Sequence, residues 1–373
     1  MIKILFMIPN LGQGGAEKVL VNLVNNMNKD KFDITIKTLF NIGVNKKFLK
    51  SNIKYSYCFE KTFRANSQIL KLFSPRYLYR RFVKEKYDIV VSYLEGPTAR
   101  IVSGCNDVNT KKICWIHVEQ HNKKIASYSF RSYKEAKDCY SRYDRIICVS
   151  NTVKDDFQNI FHLNNDFEVL YNVNETNDII EKGKEEITDI EFDKKQINIC
   201  GVGRLTEVKR FDRLVRIHER LKTKYDIHTY LLGDGKEKNR LMDYVEKHNL
   251  NDSFTFLGYQ ENPYKYISKM DLFVCCSTAE GFNTAATEAL ILGVPVITTL
   301  VSGMKEMLGD NEYGIIAEND EEKLYQGIKT LLDDKEKLNY YKKQASIRGA
   351  FFSTENTVRV VEEMFMLKGE TLI

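Results

Sequence analysis

Two carboxylates stand eight residues apart in Glu280-Gly-Phe-Asn-Thr-Ala-Ala-Thr-Glu288, directly after an apolar run and at the start of a helical pattern. A helix start offers unpaired N–H groups and the positive end of the helix dipole, so Asn283 and Thr284 could present donors to a phosphate. Gly281 would let a ligand approach closely. We expect one glutamate to accept from sugar hydroxyls and the other from nucleoside hydroxyls. By itself the pair fits an alternative equally well, in which Glu280 only interacts with the helix dipole and Glu288 is a surface residue.

A basic segment strengthens that interpretation. Gly201-Val-Gly-Arg204-Leu-Thr-Glu-Val-Lys209 lies where the first strand of the same half ends and a helix begins. Arg204 can make forked hydrogen bonds to a diphosphate, and Lys209 adds a compact charge. Such charges would stabilise a departing nucleoside diphosphate, and each 1.36 kcal/mol of that stabilisation is worth about tenfold in rate. The alternative is a pair of exposed basic residues in a turn.

A glycine-rich turn follows the first strand of the chain. Gly12-Gln-Gly14-Gly15-Ala-Glu17 opens a helix and therefore suggests a second cradle for an anion. Its spacing differs from the GxGxxG fingerprint of dinucleotide enzymes, which disfavours an NAD-dependent enzyme.

Short apolar runs alternate with amphipathic segments along the whole chain, which predicts α/β architecture with parallel sheets. Two such series, separated by a polar stretch, predict two doubly wound, Rossmann-like domains with a ligand cleft between the carboxyl ends of their sheets. The predicted strands are Ile2–Ile8, Asp33–Phe40, Asp88–Leu94, Lys112–Val118 and Arg145–Ser150, then Ile197–Val202, Ile227–Leu232, Phe254–Leu257, Leu272–Cys276 and Pro295–Thr298.

The same pattern predicts the domain limits. Residues 1–174 would form an acceptor-binding domain, 175–195 a linker, and 196–352 a donor-binding domain. We expect a last helix over 353–373, with Ser353 as its N-cap, to pack back on the first domain.

Charge is distributed unequally. Residues 1–175 carry 28 Lys and Arg against 17 Asp and Glu, whereas the remainder carries 28 against 34. A basic first half suits an anionic surface or substrate, and nucleic acid is not favoured. The eight cysteines form no CxxC pair, which indicates reduced core thiols. No apolar run is long enough for a signal peptide or a membrane span, so we expect a cytoplasmic protein, which could lie peripherally on the inner face of the cell membrane.

Taken together, these motifs resemble the GT-B glycosyltransferases, specifically the retaining family 4, over almost the whole chain. The resemblance also rests on Cys148-Val-Ser-Asn-Thr-Val, Tyr171-Asn172-Val, Leu232-Gly-Asp-Gly235, Phe256-Leu-Gly258 and Gly293-Val-Pro-Val-Ile297.

The resemblance implies a role for each matching residue. Arg204 and Lys209 would hold the donor diphosphate, Glu288 the ribose, and Glu280 the hydroxyls of the transferred sugar. Gly14 and Gly15 would cap the phosphates, and His117 falls where the family places a histidine beside the reacting sugar. The donor-binding segment also includes Gly281, Phe282, Asn283 and Thr284. Asn283 departs from the family, which often has a small residue or proline there, so donor preference stays open.

No Asp-x-Asp sequence and no His/Cys cluster with metal-ligand spacing occurs. We therefore expect no metal or other cofactor, with the nucleotide sugar as a co-substrate and Arg204 and Lys209 in place of a cation. The resemblance also implies retention of anomeric configuration without a protein nucleophile, and UDP is the commonest carrier.

The stretch Lys61–Lys86 carries eight basic residues and one acid among interleaved Phe, Leu and Tyr. It fits an anionic membrane surface, on which aromatic groups enter the headgroup boundary while lysine and arginine meet lipid phosphates. It fits equally well a helical hairpin whose apolar face packs on its own domain. If it contacts lipid, a polyprenyl-diphosphate-linked saccharide becomes the natural acceptor.

The leading hypothesis is a hexosyltransferase of cell-surface polysaccharide biosynthesis, acting in capsule, cell-wall or O-antigen assembly. The alternatives are a catalytically silent GT-B partner that binds sugar, and a nucleotide-sugar epimerase, for which no acid/base groups can be assigned.

Overall fold

The computed structural model describes residues 1–12, 14–193 and 195–366. They separate into two compact units, one formed by residues 1–174 with the segment from Glu355 onward, the other by Glu175–Thr354. Each unit contains a parallel sheet with helices along its connections.

The first unit has a seven-stranded parallel sheet in the order β3-β2-β1-β4-β5-β6-β7. Its central strands are continuous apolar runs because both of their faces are covered. The strands are β1 (Ile2–Ile8), β2 (Phe32–Phe40), β3 (Lys54–Phe59), β4 (Ile89–Ser92), β5 (Lys111–Ile116), β6 (Arg145–Cys148) and β7 (Asp166–Val169).

Serine and asparagine caps begin several helices of this unit. The Ser150 hydroxyl accepts from the Val153 N–H and starts the helix after β6, and Ser74, Asn122 and Ser132 cap other helices in the same way. The helices are α1 (Gly15–Asn26), α2 (Asn66–Leu72), α3 (Pro75–Phe82), α4 (Pro97–Val102), α5 (Lys123–Ala126), α6 (Tyr133–Tyr140) and α7 (Asn151–Phe161), with a 3-10 turn at Val44–Phe48.

The second unit has a six-stranded parallel sheet in the order β10-β9-β8-β11-β12-β13. The strands are β8 (Ile197–Val202), β9 (Ile227–Leu232), β10 (Phe254–Gly258), β11 (Leu272–Cys275), β12 (Val296–Thr299) and β13 (Ile315–Ala317). The helices are α8 (Thr176–Gly183), α9 (Phe211–Lys222), α10 (Lys238–Lys247), α11 (Tyr264–Ile267), α12 (Thr284–Ile291), α13 (Met304–Leu308), α14 (Glu321–Asp333) and α15 (Lys335–Phe351), with a 3-10 turn at Glu207–Lys209.

The expectation of a linker over 175–195 is wrong in its first half, where α8 belongs to the second unit. Ile179 is buried in this helix, and the Gly183 carbonyl accepts from the Ser268 hydroxyl at 2.7 Å. The polar composition hid the element because only one side of a short surface helix needs to be apolar. Within the rest of that segment, Lys194 lies outside the described residues.

The helix α16 (Thr354–Met366) follows the second unit in sequence and packs in the first. The Phe365 ring meets Phe6 edge-on at 5.9 Å between centroids and Phe32 at 6.3 Å. Residues 367–373, which the sequence also assigned to this helix, lie outside the described residues.

Both sheets change direction at their first strand. β1 lies between β2 and β4, and β8 lies between β9 and β11. Loops leaving the carboxyl ends of neighbouring strands at such a point diverge to opposite faces and leave room for a ligand. In the second unit these are the loops after β8 and β11, which carry the basic and the acidic motif.

Candidate functional site

Glu280 is the centre of a polar cluster in the second unit. Its Oε1 accepts hydrogen bonds from Lys209 Nζ at 2.7 Å, Ser277 Oγ at 2.6 Å and Asn283 Nδ2 at 3.2 Å. The Glu280 side chain is 10% exposed and that of Lys209 24%. No described residue donates to Oε2. The cluster thus fixes one carboxylate oxygen and leaves the other able to accept from a ligand.

Thr278 joins the acidic loop to the basic loop, and Thr299 holds the acidic loop to the end of β12. Thr278 N donates to the Val208 carbonyl at 2.8 Å, and the Thr278 hydroxyl reaches the same oxygen at 3.2 Å. The Thr299 hydroxyl at the end of β12 donates to the Ser277 carbonyl at 2.6 Å. Lys209 therefore meets Glu280 because its loop is bonded to the loop after β11.

The Leu232-Gly-Asp-Gly235 motif supports the loop that carries Arg204. Gly203 N donates to the Leu232 carbonyl at 3.0 Å, and Leu205 N to the Asp234 carbonyl at 2.9 Å. Gly233 has φ +135°, and a Cβ there would overlap the Gly203 carbonyl oxygen. Glycine is needed at this position because the two backbones touch.

Arg204 differs from Lys209 in its surroundings. Its side chain is exposed, and its guanidinium forms no ion pair with any residue that the structure describes. Of the two basic residues singled out in the sequence, only Lys209 contacts an acidic one. Arg204 keeps its five donors for solvent or a ligand.

Asn283 begins α12 and is buried. Its Oδ1 accepts from Ala286 N at 3.1 Å, which makes it the N-cap, while Nδ2 donates to Glu280 and, at 3.2 Å, to Cys275 Sγ. One amide side chain thus caps the helix and orients the carboxylate. This is a structural role for the residue that departs from the family pattern. Thr284 is the first residue of α12.

Glu288 lies inside α12 and is 4% exposed, so it is not a surface residue. The Tyr264 hydroxyl on α11 lies 3.2 Å from Glu288 Oε1. Sequence reasoning missed Tyr264 and Ser277. Ser277 follows β11 three residues before Glu280, and that short spacing was an available signal, whereas nothing in the sequence links Tyr264 to Glu288.

In the first unit, Gly14 caps α1 and Gly15 is its first residue. A Cβ at Gly14 would overlap the Glu17 carboxylate, which folds back over the helix start. The glycine turn therefore brings a carboxylate close to the amides that were expected to face phosphates. A ligand phosphate there would meet the Glu17 charge.

His117 directly follows β5 and is buried. Burial lowers its pKa to about 3, against a smaller opposing effect of a hydrogen bond to the Tyr93 main chain, and its ring lies 4.9 Å from the Tyr93 ring. Its backbone N donates to Glu95 Oε2 at 3.0 Å. Its Nε2 is a buried atom with no hydrogen-bond partner among the described residues. The imidazole is neutral and has an unused polar atom.

One group within the described residues could hold a metal ion, namely Glu119, His121 and Asp156. The Asp156 carboxylate already accepts from Gln120 N at 2.6 Å and from His121 N at 3.2 Å. Those bonds account for the position of Asp156 without a metal. None of these residues belongs to the Glu280 cluster.

The length and hydropathy of the described helices bear on whether the chain could span a bilayer. None of them is long and apolar enough to cross a membrane.

Comparisons with known proteins agree with this architecture. The family model described as Glycosyltransferase Family 4 matches residues 13–177, and the model described as Glycosyl transferases group 1 matches residues 183–348. The two models correspond to the two units, and between them they span most of the chain.

Individual relatives are more distant. The N-acetylgalactosamine-N,N'-diacetylbacillosaminyl-diphospho-undecaprenol 4-alpha-N-acetylgalactosaminyltransferase of Campylobacter jejuni is 28% identical, over 96% of this chain and 98% of its own. The amylovoran biosynthesis glycosyltransferase AmsD of Erwinia amylovora is 23% identical, over 86% of this chain and 88% of its own.

Among solved structures, Anabaena HepE in complex with UDP superimposes with a TM-score of 0.76 at 17% identity, over 98% of this chain and 99% of its own. That likeness confirms the α/β fold with two Rossmann-like domains. Both family models and the curated relatives are glycosyltransferases. The chain therefore belongs to the glycosyltransferases of the GT-B fold.

Proposed function

We propose that this glycosyltransferase moves a hexose-type sugar from a UDP-sugar to a saccharide carried on polyprenyl diphosphate, with retention of configuration, in the assembly of a cell-surface polysaccharide such as capsule, cell wall or O-antigen. The observation that carries the proposal is the Glu280 carboxylate, whose Oε1 accepts from Lys209, Ser277 and Asn283 and lies 4.0 Å from Cys275 Sγ, while Oε2 has no partner among the described residues. Such a group is preorganised to accept from sugar hydroxyls.

The donor would lie along the carboxyl ends of β8 and β11. Arg204 is exposed and would bind the diphosphate through its forked donors. Lys209 donates one N–H to Glu280 at 2.7 Å and has two more for a phosphate oxygen. It would therefore link Glu280, which binds the sugar, to the diphosphate leaving group. Glu288, buried beside Tyr264, would accept from the ribose. Gly281, Phe282, Asn283 and Thr284 complete the donor-binding segment.

The relatives support the choice of donor and acceptor. HepE is bound to UDP, and the name of the Campylobacter jejuni relative specifies an acceptor on diphospho-undecaprenol. AmsD is named for amylovoran biosynthesis. A nucleotide sugar and a lipid-linked saccharide are therefore the substrates to test first.

In the proposed reaction, the acceptor oxygen forms a bond to the anomeric carbon while the bond from that carbon to the diphosphate breaks. The nucleoside diphosphate leaves with the bond electrons, and the acceptor hydroxyl gives its proton to an oxygen of that leaving diphosphate. Arg204 and Lys209 would stabilise the growing charge in place of a metal ion. The roles of Gly14 and Gly15 as phosphate contacts, and of His117 beside the reacting sugar, are predictions from the family resemblance.

A membrane surface is the proposed location of the acceptor, on the cytoplasmic side. In the stretch 61–86, α2 and α3 each bury only one leucine, Leu70 and Leu78. The tip between the helices exposes apolar groups, with Leu72 at 75% and Phe73 at 42%, followed by Tyr77 at 53%. Apolar side chains at this level of exposure next to basic ones suit the headgroup boundary of an anionic bilayer.

The backbone of this tip is held by hydrogen bonds from two arginines of the same unit. Arg100 donates to the Leu70 carbonyl at 3.0 Å and the Phe73 carbonyl at 2.8 Å. Arg131 donates to the Lys71 carbonyl at 2.5 Å and the Leu72 carbonyl at 2.9 Å. Two guanidinium groups bind four carbonyls, so the backbone of the Leu72–Phe73 tip is fixed while the side chains of Leu72 and Phe73 stay exposed.

Vesicle sedimentation tests the membrane proposal. We expect wild type to pellet with anionic but not with neutral vesicles, and Leu72→Ser with Phe73→Ser to lower the bound fraction severalfold. Ile347→Ser is the control, because Ile347 is 59% exposed and lies on α15 of the second unit. Equal binding of neutral and anionic vesicles would contradict the proposal.

The transfer reaction itself is tested with a panel of nucleotide sugars, each with and without a polyprenyl-diphosphate-linked saccharide. We expect one UDP-sugar to release UDP in proportion to the lengthened acceptor, and NMR of the product to show the anomeric configuration of the donor. No turnover of any donor would favour a silent partner. Interconversion of the sugar without nucleotide release would favour an epimerase.

A further inference from the structure

Glu95 is a carboxylate at the carboxyl edge of the first sheet that the donor machinery does not use. It lies three residues after the end of β4, beside the end of β5, where its Oε2 accepts from His117 N at 3.0 Å. Its side chain is only half-buried. Burial raises the pKa of its carboxyl, against smaller lowering effects of hydrogen bonds from the main chain of His117 and of Glu95 itself.

The turn that carries Glu95 is held firmly. The Leu94 carbonyl accepts from the Ser92 hydroxyl at 2.8 Å and from the Thr98 hydroxyl at 3.3 Å. Gly96 follows with φ +95°, and its N–H points to the Tyr140 hydroxyl at 3.4 Å. A fixed carboxylate costs little further entropy when it binds a ligand, which is the requirement for a positioning group.

His117 supplies the second observation. It is 6% exposed, and its Nε2 has no partner among the described residues. Because the ring is neutral and its other polar contact is to the Tyr93 main chain, Nε2 is an acceptor that lacks a donor. A buried polar atom in that condition is unfavourable until a hydroxyl or a water donates to it.

Hydroxyl groups are the donors that a saccharide brings. The Glu95 carboxylate has about four lone-pair sites, of which two are used by main-chain N–H groups. We propose that Glu95 is the specificity-determining residue of the acceptor site, where it accepts a hydrogen bond from a hydroxyl of the acceptor saccharide next to His117. This inference rests on the proposed function and names the residue in the first unit that recognises the acceptor.

Glu95→Gln tests the role, because it keeps the shape but replaces one acceptor oxygen by an N–H donor. We expect kcat/KM for the acceptor to fall at least about tenfold, while KM for the nucleotide sugar and its hydrolysis without acceptor stay within about twofold of wild type. Glu168→Gln is the matched control, since Glu168 is a partly buried carboxyl of the same unit whose pKa is also raised, and it is bonded to Arg145 at 3.0 Å.

The pH profile distinguishes recognition from a structural role. The groups that face Glu95 are His117, Cys114, Tyr140 and Cys148; burial lowers the pKa of His117 to about 3 and raises the pKa of the other three. Among these groups Glu95 is the only carboxyl, and its pKa is raised above the usual range of a glutamate. Acceptor kcat/KM in wild type should therefore fall as the pH drops and Glu95 is protonated, and this acidic limb should be absent in Glu95→Gln.

The outcomes separate the role of Glu95 from the proposed transfer function. Normal acceptor kcat/KM in Glu95→Gln, a rise in the KM of the nucleotide sugar in place of an acceptor effect, or an equal loss of transfer and donor hydrolysis would overturn the role of Glu95 while leaving the proposed function standing. Absence of transfer by wild type would overturn the proposed function, and the role with it.

Discussion

Glu280 of the second unit and His117 of the first differ in how their polar atoms are satisfied. In the second unit, Glu280 receives hydrogen bonds from Lys209, Ser277 and Asn283 before any ligand binds. In the first unit, His117 Nε2 has no partner within the described residues. The first arrangement fixes the carboxylate in one geometry and leaves only Oε2 for a ligand, whereas in the second a buried ring nitrogen depends on the substrate for a donor. Such a division would let the second unit bind one nucleotide sugar in a fixed geometry while the first unit distinguishes between acceptor saccharides.

The largest expected effect comes from removing the central carboxylate. Glu280→Ala should lower turnover about a hundredfold, because the sugar loses a preorganised acceptor and Lys209 loses its partner. Lys209→Ala should lower turnover at least about tenfold. Steady-state rates with saturating acceptor measure both effects, and the melting temperature serves as the folding control. Near-normal rates in both folded variants would break the assignment of the donor site.

Two buried histidines sharpen the comparison. In the second unit, His218 reaches the Thr229 hydroxyl at 2.9 Å and the Ser253 hydroxyl at 3.0 Å, so both ring nitrogens are bonded. His218→Leu should cost about 2 to 3 kcal/mol because it leaves two buried hydroxyls without that partner. His117→Leu should cost only about 1 kcal/mol, because it removes one hydrogen bond, to the Tyr93 main chain, while Nε2 forms no bond that can be lost.

Denaturant unfolding measures both histidine variants, and a transfer assay is run beside it. His117→Leu should lower transfer while His218→Leu, when folded, should not. Equal destabilisation by the two changes would show that His117 is a structural histidine like His218, and would remove the contrast between the units.

The smallest expected effect concerns the helix cap. Asn283→Ala should cost about 1 kcal/mol of stability, and it should also slow turnover severalfold because Glu280 loses one of its donors. Asp320 caps α14 through Glu322 N and Lys323 N, so Asp320→Ala should cost similar stability with unchanged turnover. If Asn283→Ala and Asp320→Ala lose similar stability and both keep wild-type turnover, Asn283 acts only as a helix cap.

Sequence patterns predicted the interior strands of both sheets and the edge strand β10, and missed the other three edge strands. The strands β1, β4, β8 and β11 are continuous apolar runs with covered faces, and all were recognised. The strands β3, β7 and β13 were missed. Each is the edge strand of its sheet, partly exposed, and β7 and β13 have only four and three residues. An edge strand needs little apolar surface, so its pattern resembles that of a loop.

The candidate site shows the same limit. The motifs located the loops after β8 and β11 because glycine, strand ends and helix starts leave local signals. The contacts of Glu280 with Lys209, and of Glu288 with Tyr264, depend on how strands and helices distant in sequence pack side by side. Glu95 had no motif at all, and only its hydrogen bond to His117 N revealed it.

The central claim is that the second unit binds the nucleotide and the first recognises the acceptor. Titration calorimetry of UDP with Glu288→Gln and with Glu95→Gln tests this claim most directly. We predict that Glu288→Gln raises the Kd at least about tenfold, because a buried acceptor becomes partly a donor, while Glu95→Gln changes it by less than about twofold. Loss of UDP binding in Glu95→Gln with normal binding in Glu288→Gln would contradict the account.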